Sequence, residues 1–162
     1  MEIKTFPDPV LRKLATKVYN ITDEIVRFSE NMLETMIAAH GAGLAANQVG
    51  APMQLIIIDA SLTEQKKHLA ILNPFIVEAD MEEVGEEGCL SLPGYYEFVK
   101  RASKVLARGI DLSGKTLEFE CQGQFARAMQ HEIDHLNGVL FIDHLSPVKK
   151  NIFKKKYAGP AK

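Results

Sequence analysis

His131 and His135 stand four residues apart in the stretch Gln130-His-Glu-Ile-Asp-His135. The surrounding segment reads as helix, opened by Gly123 and closed by Asn137-Gly138. Residues four apart on a helix project from one face, a turn from each other. The spacing therefore sets two imidazoles side by side. This is the H-E-x-x-H pattern, whose histidines hold a metal and whose glutamate, here Glu132, works as acid and base. A polar helix face that merely carries two histidines is the competing reading. If the pair holds a metal, the fold must bring a third group to it, because catalytic sites of this kind use three protein ligands and leave one position for water. Cys89, Cys121, His40, His68, His144 and several carboxylates are available. Cys121 lies on the inward face of a strand and is most simply a core thiol. His40 ends a helix and can serve its last carbonyls. Cys89 sits in Glu86-Glu-Gly-Cys-Leu-Ser-Leu-Pro-Gly94, between two backbone breakers, a place as suited to chemistry as to packing.

Around that helix the chain reads as α+β. Thr22-Asp-Glu starts a helix over about 23–40, with Ile25, Phe28, Met32, Met36 and Ala39 on one face and Gly41 at its end. Leu55–Ile58 is a buried strand. Residues 69–79 are broken by Asn73-Pro74 into two short strands or an edge strand. Residues 98–111 and 116–121 flank the hairpin turn Asp111-Leu-Ser-Gly114. Ser146-Pro147 begins a third helix. The expected architecture is small mixed or antiparallel sheets packed around a central metal-binding helix, with an N-terminal and a C-terminal helix. No linker divides the chain, so its 162 residues form one domain, a core over 1–147 followed by a lysine-rich helix or tail over 148–162. Nineteen basic against 21 acidic residues leave a net charge of −2, which argues against DNA or an anionic membrane as partner. Two cysteines point to a reduced compartment, and the N-terminus lacks an apolar core of signal-peptide length. The expectation is a cytoplasmic protein, or an organelle form already processed. Gly41-Ala-Gly43-Leu-Ala-Ala46 matches the G-x-G-x-x-A pattern of dinucleotide binders. That reading needs a strand before the first glycine and a helix after it. Here a helix precedes Gly41, and Gly50-Ala-Pro52 cuts off any helix that follows.

Three stretches together resemble the signatures of the peptide deformylase family: Gly41-Ala-Gly-Leu-Ala-Ala-Asn-Gln48, Glu87-Gly-Cys-Leu-Ser91 and Gln130-His-Glu-Ile-Asp-His135. Further matches run from Asp8-Pro-Val-Leu-Arg12 to Leu145-Ser-Pro147, so the resemblance, to the compact bacterial type, covers nearly the whole domain. It implies a metal-dependent hydrolase that removes the formyl group from N-formylmethionine at the start of nascent polypeptides and releases formate. It also implies one divalent ion per chain, held by Cys89, His131 and His135 with water as the fourth ligand. Fe(II) is the native ion that the resemblance implies, and zinc, nickel or cobalt can occupy the same site. Glu132 becomes the general acid/base. The side-chain N–H of Gln48 and the backbone N–H of Leu90 become the oxyanion donors. The backbone of Ala42 and Gly43 pairs with the extended peptide. By helical spacing, the stem of Arg127 and Ala128 face a methionine-sized pocket, with Tyr96 at its rim; plain core packing is an equal reading of Ala128.

The residue types suit that chemistry. An amide resists water at neutral pH, and a bound divalent ion lowers the pKa of water towards neutrality. A soft thiolate favours Fe, Co or Zn over Mg or Ca. The tetrahedral oxyanion needs donors already aimed at it. Asp134 is placed to orient a histidine or an arginine, or else is a solvated helix residue. Lys149, Lys150, Lys154, Lys155 and Lys156 form a solvated face or a surface for ribosomal RNA. Two rival functions remain. A zincin-type peptidase uses the same H-E-x-x-H but gives Cys89 no role, and a binding module would keep the fold without the activity.

Overall fold

The computed structural model describes residues 1–157; the end of the expected tail, 158–162, lies outside the described residues. In chain order the elements are α1 (Asp23–Ala38), β1 (Gly43–Ala45), β2 (Leu55–Ile58), β3 (Leu69–Cys89), β4 (Leu92–Ile110), β5 (Thr116–Gln122), α2 (Gly123–Leu136) and α3 (Pro147–Tyr157), joined in places by short 3-10 turns. The chain is α+β, as its pattern predicts. The strands form one five-stranded sheet in sequence order, and every pairing is antiparallel, where several small or mixed sheets were expected. Its only parallel element is an isolated bridge between Thr16 and Met53, among the described residues.

Two elements differ from the sequence pattern for identifiable reasons. Asn73-Pro74 does not end a strand. Asn73 takes the left-handed conformation, φ 51°, which asparagine tolerates. Its amide exchanges hydrogen bonds with both backbone groups of Val18, at 2.8 and 2.9 Å. The break becomes a register shift between Leu72 and Phe75, and β3 continues for 21 residues. β3 lies between β2 and β4 only over Leu69–Leu72 and is an edge beyond. The second difference is at the end of α1. The left-handed residue there is His40, φ 57°, not Gly41. The N–H of His40 bonds to Ile37 O, and that of Gly41 reaches back to Met36 O at 3.0 Å, closing the helix in a Schellman arrangement. Gly41 is needed for another reason, since a Cβ there would lie 2.7 Å from Leu90 Cδ1.

Strand β2 divides the interior. Its alternate residues point to opposite faces. Ile56 and Ile58 join the α2 core with Ala45, Ile71, Val105, Met129 and Ile133. Leu55 and Ile57 join the α1 core with Met32, Met36, Leu44 and Leu72. A third core gathers Leu92, Tyr95, Val99 and Phe141 around Phe153, which anchors α3. Helix α2 is therefore held between the sheet and the following turns, with nine of its residues buried. That placement is what turns its two histidines inward.

Candidate metal centre

Both imidazoles of α2 are buried, His131 at 8% exposure and His135 at 1%. The third group arrives from the sheet. Cys89 is the last residue of β3, and the turn Leu90-Ser91 brings the chain straight back, so that Cys89 pairs with Leu92. This tight turn, rather than Pro93-Gly94, reverses the chain. Sγ of Cys89 lies 3.4 Å from Nε2 of His135, which is 3.2 Å from Nε2 of His131. All three donor atoms fall within 4.8 Å of one another. A tetrahedral ion with ordinary metal–nitrogen and metal–thiolate bonds has edges of about 3.4 Å between nitrogens and about 3.6 Å between nitrogen and sulfur. The donor set therefore fits one divalent ion, and it is the sole such cluster among the described residues.

The other candidate ligands are elsewhere. Cys121 is fully buried on β5, and burial pushes its thiol up to about 12, which makes it an inert core residue. His68 accepts from the backbone of Ala60, and His144 contacts Asp134. His40 lies at the mouth of the cavity described below, outside the donor cluster.

Glu87 holds the centre from behind. Its Oε1 meets Nδ1 of His131 at 2.8 Å, which leaves Nε2 of that ring to face Cys89 and His135. Arg101 grips Glu87 with two bonds, Nε to Oε2 at 2.8 Å and Nη2 to Oε1 at 2.9 Å, and Arg127 Nη1 donates to the same Oε2 at 2.8 Å. Burial alone would push the Glu87 carboxyl up. The hydrogen bonds from Arg101 and His131, with their charges, instead hold it well below the usual carboxylate range. Arg101 also donates to Asp134 at 2.5 Å, and Asp134 meets His144 at 2.9 Å. Asp134 thus orients an arginine and a histidine that lies outside the cluster.

Burial disfavours charge on both histidines. Glu132, Cys89 and Glu87 nevertheless raise the proton affinity of His131 well above normal, whereas burial and the neighbouring His131 depress that of His135. The protein without metal keeps a proton in the cluster, and a divalent ion has to displace it.

Glu132 is 4% exposed, and its Oε1 has no hydrogen-bond partner among the described residues. Burial pushes its carboxyl up to about 7. The backbone of β1 passes so close that a Cβ at Gly43 would stand 2.7 Å from Glu132 Oε2. Gln48 is fixed at one end, where its Oε1 accepts from the N–H of Ala45 at 2.9 Å. Its Nε2 is thereby turned towards Cys89 Sγ at 3.6 Å and Ser91 Oγ at 3.1 Å.

A cavity of about 370 Å³ opens onto this centre. Ala42, Gly43, Gln48, Leu90, Tyr96, Arg127, Ala128 and Glu132 all line it, together with Cys89 and His131. The geometry thus brings the expected site residues into one place, with His135 behind the wall. Arg127 departs from the expected pattern in one respect. Its guanidinium is tied to Glu87, Val99 O and Glu83 O, so the head group serves the scaffold and only the side of the chain faces the cavity. Two residues of the site had no role assigned from sequence. Glu87 stands inside the second motif, and Arg101 carries a signal only in retrospect: it sits on the inward face of β4 with Val99 and Val105.

Comparison with known proteins follows the same lines. A family model described as polypeptide deformylase matches residues 1–151. A peptide deformylase of Thermodesulfovibrio yellowstonii is 48% identical over 97% of this chain and 96% of its own length. The crystal structure of a peptide deformylase from Legionella pneumophila superposes with a TM-score of 0.90 at 42% identity, covering 96% of this chain and 91% of that one. One from Synechococcus elongatus, in complex with actinonin, has a TM-score of 0.89 at 39% identity, covering 99% of this chain and 87% of that one.

Proposed function

This chain belongs to the polypeptide deformylase family, and from that premise we propose how its own residues carry out the reaction. The enzyme hydrolyses the N-formyl group of N-formylmethionyl nascent polypeptides and releases formate. The observation that carries the mechanistic reading is the convergence of Cys89, His131 and His135 on one point, beside a buried carboxylate and an amide fixed at one end.

Cys89, His131 and His135 hold one divalent ion, with Fe(II) as the native metal; zinc, nickel or cobalt suit the same thiolate and imidazole donors. When bound, the ion supplies Lewis acidity and activates water for attack on the formyl carbon. Glu132 takes the proton released in the attack and delivers it to the departing amine, so that formate and a free N-terminus leave. A carboxyl raised towards neutrality suits both halves of that transfer. Gln48 offers Nε2–H, and Leu90 its backbone N–H, to the developing oxyanion. Glu87 keeps the His131 ring oriented. The backbone of Ala42 and Gly43 pairs with the extended substrate, and Tyr96, Ala128 and the flank of Arg127 receive the methionine side of the peptide.

The test is formate release from formyl-Met-Ala-Ser, anaerobically, by protein loaded with Fe(II). We expect turnover, and Cys89→Ser should abolish it. A folded, metal-loaded protein that releases no formate would overturn the activity. A zincin-type peptidase would instead survive Cys89→Ser.

We place the work in the cytoplasm, at the ribosome; a processed organelle form would carry out the same chemistry. Of the five lysines of α3, Lys149 pairs with Glu97 at 2.9 Å and Lys156 lies over the Tyr95 ring. Lys150, Lys154 and Lys155 are left as the surface for ribosomal RNA. Co-sedimentation with ribosomes should be lost when these three become glutamine; equal binding would remove this role.

A further inference from the structure

The β3–β4 hairpin carries an apolar stripe on its outer face, continuous with the mouth of the cavity. Cross-strand pairs on that face are Gly88 with Tyr96, Glu86 with Phe98, and Val84 with Lys100. Tyr96 is 64% exposed, Phe98 56% and Val84 60%. The side chains between them, Glu87, Val99 and Arg101, are buried on the other face. Strand alternation therefore puts three large apolar groups together on the solvent side. Tyr96 and Glu86 line the cavity, so the stripe begins where the reaction site ends. Gly88 allows this, since a Cβ there would lie 2.4 Å from the Tyr96 ring. Beyond Phe75 the outer edge of β3 has no strand partner among the described residues. Glu86 has no ion pair among them, whereas the next acid along the face, Glu82, is 3.7 Å from Lys100.

We infer that this stripe is an extended subsite for the nascent chain beyond its third residue. This rests on the deformylase reading above. Continuity with the cavity selects the occupant: a substrate leaving the mouth past Tyr96 meets the open β3 edge and the Val84–Phe98 surface next. Gly88 to Val84 spans roughly 13 Å at the rise of an extended strand, so about four substrate residues cover it. An extended segment adds to the free edge as a strand and lays alternate side chains on the face. Its preferred chemistry is large and apolar opposite Val84 and Phe98, with a lysine or arginine opposite Glu86.

The experiment compares formyl-Met-Ala-Ser with the heptapeptide formyl-Met-Ala-Ser-Phe-Lys-Phe-Ser on the metal-loaded enzyme. Binding that is equal in ground and transition states lowers KM and leaves kcat alone. We expect the heptapeptide to have a KM about fivefold to tenfold lower, in keeping with burial of one or two exposed apolar side chains. The double variant Val84→Ser, Phe98→Ser, at exposed positions, should turn over the tripeptide unchanged and lose the advantage of the longer peptide. Glu86→Lys should reverse the preference between Lys and Glu at the fifth residue. Equal kcat/KM for both peptides on the unaltered enzyme, or a length preference that survives the double variant, would overturn the subsite. A dimer that dissociates on the double substitution, with no length preference, would overturn it in favour of a second copy. No formate from either peptide would overturn the activity itself, and the subsite with it.

Discussion

Gln48 shows how one residue is made into a donor. The Ala45 N–H holds its carbonyl end, and that fixes the direction of its amino end. Gln48→Leu should lower kcat by about a hundredfold or more, the usual cost of one oxyanion donor, while metal content by elemental analysis stays at one per chain. Undiminished turnover would refute the role. Glu132 offers a second residue-scale test in the metal-free protein. Its carboxyl is raised from 4.5 to about 7, so the folded state holds the proton more tightly than the unfolded chain does. Its contribution to stability is therefore complete below pH 4.5 and lost as pH rises through about 7. Thermal melting of metal-free protein should show that decline, and Glu132→Gln should flatten it. Sequence spacing was enough to find Glu132. It could not give the carboxyl its environment, because Gly43 and Glu87 come from distant parts of the chain.

At the scale of elements, the histidine helix was legible and the long hairpin was not. Periodicity, a glycine at each end and the i, i+4 pair all agree on α2. By contrast, residues 80–88 of β3 carry Glu82, Glu83, Glu86 and Glu87 with few apolar residues, so they give little strand signal. They are a strand because β4 pairs with them, and β4 is held in turn by Val99 and Arg101 beneath. The same hairpin delivers Cys89, which explains why local sequence left the third ligand open. Helix α3 depends on one anchor, Phe153, packed against Tyr95 with ring centroids 4.9 Å apart. Phe153→Ala should cost about 3–5 kcal/mol and lower Tm by roughly 10 °C in calorimetry. A smaller change than 1 kcal/mol would show that α3 is not part of the cooperative unit.

For the whole molecule, the centre and the fold share one charged network. Glu87 joins β3 to β4 through Arg101 and to α2 through His131 and Arg127. Removing one partner of such a buried network leaves uncompensated charge and costs about 3–5 kcal/mol. Because the Glu87 carboxyl is held well below its ordinary value, its contribution is present above about pH 4.3 and is lost as pH falls below it. Tm should therefore drop on acidification below that point, and Glu87→Gln should be less stable at pH 7 and less sensitive to acid. Chelation of the metal should lower Tm further, and restoring the ion should reverse it, since a ligand that binds only the folded state stabilises it by mass action. A Tm indifferent to chelator would argue against a metal held by Cys89, His131 and His135.

By itself the sequence determined the helix that carries His131, Glu132 and His135, because a 3.6-residue period and fixed side-chain spacing are local properties. It also determined, through three motifs in order, the family and the reaction. Only the tertiary structure decided that Cys89 and not Cys121 meets the histidines, that Glu87 and Arg101 support them, and that Asn73-Pro74 bends a strand without ending it. Those outcomes depend on contacts between residues 14 to 44 positions apart or more, such as Arg101 with Glu87 and His131 with Glu87. No local preference encodes such contacts; they exist only once the sheet and α2 have packed.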